Sequence, residues 1–147
     1  MKKKGFTLIE LISIIVILSL IALIVFPAVT SIIKSSRNSA YESQITILEK
    51  AAKQYYLDRP NELPDENSSD ESIIDIYDLV ANNYIIEEDL TDISDLEEET
   101  TTTFKEKHPG VNKVIINPKN KKPLEGHIEV KYQSNQYIYK FVLDNWK

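Results

Sequence analysis

Between Leu11 and Ile33 the chain reads LISIIVILSLIALIVFPAVTSII, 23 positions without a charged side chain. Wound as a helix at about 1.5 Å per residue, this run covers roughly 34 Å, enough for the ~30 Å hydrocarbon core of a bilayer. Beyond it the pattern changes. Ile33, Arg37, Tyr41, Ile45, Leu48, Ala52 and Tyr55 recur at steps of three and four, while Lys34, Glu42, Glu49, Lys50 and Lys53 mostly fill the other sides. The spacing predicts one helix from near Phe6 to about Leu57, on the order of 78 Å long, apolar all round in its first half and amphipathic in its second. Pro27 removes one backbone hydrogen bond and should bend or loosen the helix locally. At DRPNELP two prolines forbid its continuation.

Residues 58–147 predict a small head. In SIIDIYDLVANNYI, Ser72 is the expected N-cap, with Asp75 three positions on and Ile73, Tyr77, Val80 and Tyr84 along one side of a short helix. The stretch from Glu87 to Thr103, acidic and then threonine-rich, receives no assignment. GHIEVKYQSNQYIYKFVL alternates strongly, and a two-residue turn at Ser134 and Asn135 opposes Tyr132 to Tyr137, Val130 to Tyr139 and Ile128 to Phe141 on one face. The same register sets Glu129 against Lys140 on the other face as an ion pair, and VNKVIIN is the expected third strand. The fold class expected is α+β: a long N-terminal helix packed against a small antiparallel sheet, with one short extra helix.

Charge adds contrast to this outline. Net charge is -6, but residues 58–99 hold sixteen acids against one base, whereas residues 100–147 hold nine bases against four acids. Such blocks are usually solvated loops, although opposite blocks on a repeating subunit can also meet between neighbours. With 42% apolar residues the chain is no disordered polyanion, and without cysteine the head must be held by packing alone.

Glu10 is the residue that the hydropathy pattern does not explain. It opens the apolar run, where a carboxylate needs a partner or a purpose. The opening MKKKGFTLIE followed by about twenty apolar residues resembles the type IV prepilins and the pseudopilins of secretion and competence machines, specifically over residues 1–33 and in layout alone beyond them. The resemblance implies a cytoplasmic leader, residues 1–5, that prepilin peptidase removes by cutting after Gly5. It further implies N-methylation of the new terminus, Phe6, and assembly through the helix. Glu10 falls at the family's glutamate and Pro27 where many members carry a helix-loosening proline.

Cleavage would create an α-ammonium on Phe6, which the Glu10 carboxylate of a neighbouring subunit can neutralise in a filament, fixing the axial step more than adding stability. A local account competes, because Thr7 to Glu10 also matches the T-x-x-E capping box. The organisation expected is thus a leader at 1–5, a transmembrane and assembly segment at 6–33, an amphipathic segment at 34–57 and an extracytoplasmic head at 58–147. Implied partners are other pilins in a homo- or hetero-oligomeric filament, prepilin peptidase, an assembly ATPase and a platform membrane protein. The expected location is the cell membrane, N-terminus inside, and then a surface filament. Pili, secretion pseudopili and competence pili share these features.

Other classes fare less well. A signal peptide has a shorter apolar region, whereas a signal-anchored protein that never polymerises fits the hydropathy, with Lys2, Lys3 and Lys4 keeping the N-terminus inside, but leaves GFTLIE unexplained. No enzyme is expected: there is no cysteine, and His108 and His127 have no ligand or triad spacing. No cofactor or metal is expected. DENSSDE spaces Asp65, Asn67, Ser69 and Glu71 like the start of a calcium loop, but Asp70 replaces its glycine and Ile76 its bidentate glutamate. Nucleic acid is not an expected partner, since only Lys119, Lys121 and Lys122 in NPKNKK favour it, and loss of the three leader lysines takes the net charge from -6 to -9.

Overall fold

The structure, a computed structural model, describes residues 6–66 and 70–144. It is α+β and divides into two compact units, Met1–Asn38 and Ser39–Lys147. The predicted long helix is present as α1 (Leu8–Asp58), which passes Pro27 unbroken. In the first unit every described residue is exposed, the apolar run included.

In the second unit α1 buries Tyr41, Leu48, Ala51, Ala52 and Tyr56. Tyr41, Leu48 and Ala52 follow the predicted stripe, but at its end Tyr56 is buried and Tyr55 only half-buried. Tyr55 instead makes an edge contact with Tyr84, ring centroids 5.4 Å apart, and takes the Arg59 guanidinium over its face at 4.2 Å. Arg59, the one base in the acidic block, also donates to Tyr84 Oη and Asn82 Oδ1, tying the end of α1 to the loop beyond.

Three strands form the main antiparallel sheet: β1 (Ser72–Asp75), β4 (Gly126–Gln133) and β5 (Gln136–Leu143), in the order β1-β4-β5. Two more, β2 (Thr91–Asp92) and β3 (Lys113–Val114), pair separately. Helices α2 (Ile76–Ala81) and α3 (Glu98–Lys107) complete the unit. The predicted hairpin register holds residue for residue, with Tyr132 opposite Tyr137, Val130 opposite Tyr139 and Ile128 opposite Phe141. Ser134 and Asn135 both take positive φ, 53° and 65°, which is the geometry a two-residue turn needs to follow the twist of its strands. Glu129 stands opposite Lys140 as expected, but its carboxylate pairs with Lys131 at 3.4 Å instead. At the base of β4, a Cβ on Gly126 would come within 2.4 Å of the Val142 carbonyl oxygen and 2.6 Å of the Phe141 ring. Only glycine permits that approach.

Two predicted elements are corrected. Ser72 opens β1 and is not a helix cap; the cap of α2 is Asp75, which accepts the Tyr77 N–H at 2.7 Å, so the helix starts three residues late. The reason lies far along the chain, because Ser72–Asp75 satisfies the second edge of β4, a partner that local capping signals do not register. VNKVIIN likewise is not the third strand of the sheet. Lys113 and Val114 pair with β2, and the segment then folds back through an Ile116–Pro123 bridge. The unassigned stretch becomes two short 3-10 turns, β2 and α3, whose Phe104 is fully buried.

Asp75 yields a pH prediction. Partial burial is the largest influence on its carboxyl and raises it above the ordinary value, outweighing the Tyr77 N–H and His108, which act the other way. A raised folded pKa means that ionising Asp75 costs stability as pH rises past the carboxylate range, a cost absent below the unfolded value of 3.8. Asp75→Asn keeps the capping oxygen without the charge. Thermal unfolding should show the variant more stable at pH 7, with the gain shrinking toward zero near pH 3.

Candidate processing and assembly site

The N-terminal chemistry expected from the sequence falls partly on described residues. Gly5 and the leader lysines lie outside them, while Phe6 is 82% exposed. Thr7 and Glu10 form a reciprocal cap: the Thr7 N–H and Oγ1 donate to Glu10 Oε2 at 2.8 and 2.7 Å, and the Glu10 N–H donates to Thr7 Oγ1 at 3.3 Å. The local role of Glu10 is therefore realised within a single chain.

The helix that follows suits a lipid environment. It is the helix among the described residues that is long and apolar enough to cross a membrane. Three of its hydroxyls are satisfied internally, Ser13 by the Ile9 carbonyl, Ser19 by Ile15 and Thr30 by Pro27, at 2.7 to 2.9 Å. A hydroxyl without water needs such an acceptor. The remaining side chains, Ile24 at 77% exposure among them, offer van der Waals surface on all sides. Such a surface can face acyl chains or other helices.

In the second unit, the histidines are engaged structurally. His108 stacks on Phe104 with centroids 4.7 Å apart and lies 3.7 Å from the buried Glu125 carboxylate. His127 holds Asp144 through Nδ1 at 2.9 Å and lies 3.8 Å from Glu129. Neither has a hydroxyl nucleophile among these partners. Tyr77, edge-on to Phe104 of α3 with ring centroids 5.0 Å apart, donates to the Leu124 carbonyl at 2.8 Å, and burial drives its phenol far above the ordinary range. It is a structural post. No group of three or more metal-ligating side chains occurs among the described residues. Of the acidic loop, Asn67 and Ser69 lie outside those residues, and Glu71 pairs with Lys131 at 2.8 Å.

The lysines of NPKNKK are placed where the sequence reading did not anticipate. Lys119 sits over the Tyr41 ring of α1, 3.7 Å from its centroid. Lys122 shares a cleft with Glu97, Glu99, Thr100, Thr103 and Asn120. Opposite charges from the two blocks thus come together within one chain, as they do where Lys113 pairs with Glu87.

Comparison with known proteins adds one finding at the N-terminus. A family model described as the prokaryotic N-terminal methylation motif matches residues 1–26. No curated protein and no solved structure matches the chain. Residues 1–26, spanning Gly5, Phe6 and Glu10, thus carry the signature of type IV prepilins.

Proposed function

We propose that the chain is a structural subunit of a type IV pilus-like filament, made as a single-span membrane precursor with its N-terminus in the cytoplasm. The observation that carries this reading is the methylation motif at the head of a helix whose apolar residues 8–33 are all exposed. Prepilin peptidase cuts after Gly5, and Phe6 is methylated as the new terminus. Residues 6–33 then exchange lipid for the helices of other subunits, while 34–57 carry the head, 58–147, into the extracellular filament. Small and apolar side chains packing between helices supply the contact energy, since no hydrophobic driving force acts within lipid. An assembly ATPase and a platform membrane protein move the subunits from membrane to filament.

Glu10 has two states in this scheme. In the precursor it caps its own helix through Thr7; in the filament its carboxylate accepts the Phe6 ammonium of a neighbour. The Thr7–Glu10 bonds also favour a second reading, a signal-anchored extracytoplasmic protein that does not polymerise, because capping alone gives Glu10 a purpose.

Processing separates the readings. The peptidase must accommodate a very small residue before the cut, so Gly5→Val should accumulate as uncleaved precursor in the membrane, at least tenfold over mature chain. Intact-mass measurement in the producing cells is the check. Mature protein starting at Phe6 in that variant, or wild-type protein that keeps Met1 to Gly5, would overturn the proposal.

A further inference from the structure

Gln44 lies on the buried side of α1, three residues after Tyr41 and four before Leu48, where the stripe would otherwise take an apolar side chain. Its amide is only half used. Nε2 donates to the Ile116 carbonyl at 3.1 Å, while Oε1 is buried and has no hydrogen-bond partner among the described residues. The Ile116 carbonyl fixes the orientation of the amide, because exchanging its oxygen and nitrogen would set two acceptors against each other. A buried acceptor without a donor is costly, so an atom of this kind in a packed unit points to a donor from outside the chain.

The space beside Gln44 sets the size of that donor. A cavity of about 30 Å³ is lined by Gln44 and the buried Leu48, Ile85 and Ile115, with the exposed Ile47 and Asp89 also on its wall. A water molecule needs roughly 10 to 15 Å³ of such volume, so water fits and a metabolite does not. Entry also depends on polar partners, since a cavity walled by leucine and isoleucine alone stays dry. This one has two acceptors to offer, Gln44 Oε1 and the carboxylate of Asp89, the last residue of the 3-10 turn Glu87–Asp89. A water has two hydrogens to give. A divalent cation would ask for about six or more oxygens, which a wall of four aliphatic side chains does not supply. We propose that the cavity is a binding site for one structural water, which donates to Gln44 Oε1 and to the Asp89 carboxylate and so ties α1 to the turn. Lys113 of β3 holds the same turn through Glu87. Every residue of the bridge belongs to the second unit, and the site stands whether or not the chain polymerises.

The test uses the full chain in detergent micelles with its isoleucine and leucine methyl groups labelled for NMR. Water-selective NOE and ROE spectra should show cross-peaks from water to the Leu48 and Ile115 methyls, opposite in sign between the two experiments, as for a water that stays bound while the molecule tumbles. Ile128, fully buried in the core, is the dry reference, and its unchanged position in the variants reports that they fold. In Asp89→Ala, a change at an exposed position, the cross-peaks should fall at least about threefold, because the water then keeps one polar partner where a buried water has two to four. Gln44→Met, similar in length but without either polar atom, should abolish them. Wild-type protein without cross-peaks at Leu48 and Ile115 would overturn the proposal, as would cross-peaks unchanged in Asp89→Ala. Shifts of these methyls that saturate with added potassium or calcium chloride would also overturn it and assign the cavity to a cation.

Discussion

Glu10→Ala is expected to be synthesised, inserted and cleaved like wild type, yet to yield at least about a hundredfold fewer filaments when it is the only subunit present. In the precursor the residue lies in the first turn of α1, where its loss removes only the Thr7 cap. A capped and an uncapped helix end differ modestly, and a long apolar segment inserts either way. In the proposed filament the same substitution leaves the Phe6 ammonium of a neighbour buried without its carboxylate. Breaking a buried pair by removing one partner is far more damaging than the net worth of the pair, which is the physical reason for so large an effect. Electron microscopy of sheared surface fractions measures filament yield, and immunoblotting of membranes measures insertion and cleavage. Co-expressed wild-type subunits should rescue the variant in part. Normal filaments built from Glu10→Ala alone would leave capping as the whole role of the residue.

Phe141→Asp should unfold the head, while Lys140→Asp, one residue away on the opposite face, should cost about 1 kcal/mol or less. Phe141 is 8% exposed, stands opposite Ile128 and closes over Gly126, and its N–H donates to Glu49 of α1 at 3.2 Å. An aspartate there loses the packing of an aromatic ring and buries a charge without a partner, together roughly 4 kcal/mol or more, a large share of the stability of a domain this size. Lys140 is exposed and forms no ion pair with the described residues, so its replacement disturbs only surface charge. Near-ultraviolet circular dichroism of the full chain in detergent, followed through thermal unfolding, distinguishes the two. Equal loss in both variants would refute the hairpin register.

The parts legible in the sequence are those whose cause is local. The apolar run, the continuation of α1 and the hairpin register follow from periods of 3.6 and 2 and from a turn of two residues that accept positive φ. Thr7 and Glu10 are three residues apart, so their cap is written in the chain as directly as it is seen in space. Tyr56 displaced Tyr55 from the predicted stripe for a non-local reason, because the Arg59 and Tyr84 contacts hold Tyr55 aside.

What tertiary structure decided is where distant segments compete for one partner. Ser72 satisfies a helix-start pattern and a strand pattern equally well; the open edge of β4, more than fifty residues later, selects the strand and passes the capping role to Asp75. Glu129 faces Lys140 in register, yet Glu71 brings Lys131 into position to bridge both acids, so the expected cross-strand pair does not form. The NPKNKK turn reads in isolation as a solvated lysine loop, and only packing against Tyr41 and Gln44 sets it near the start of the second unit. A backbone period is a property of neighbouring residues and survives in the sequence. The choice among several adequate partners depends on loop closure and burial across the whole head, a quantity no stretch of the chain contains by itself.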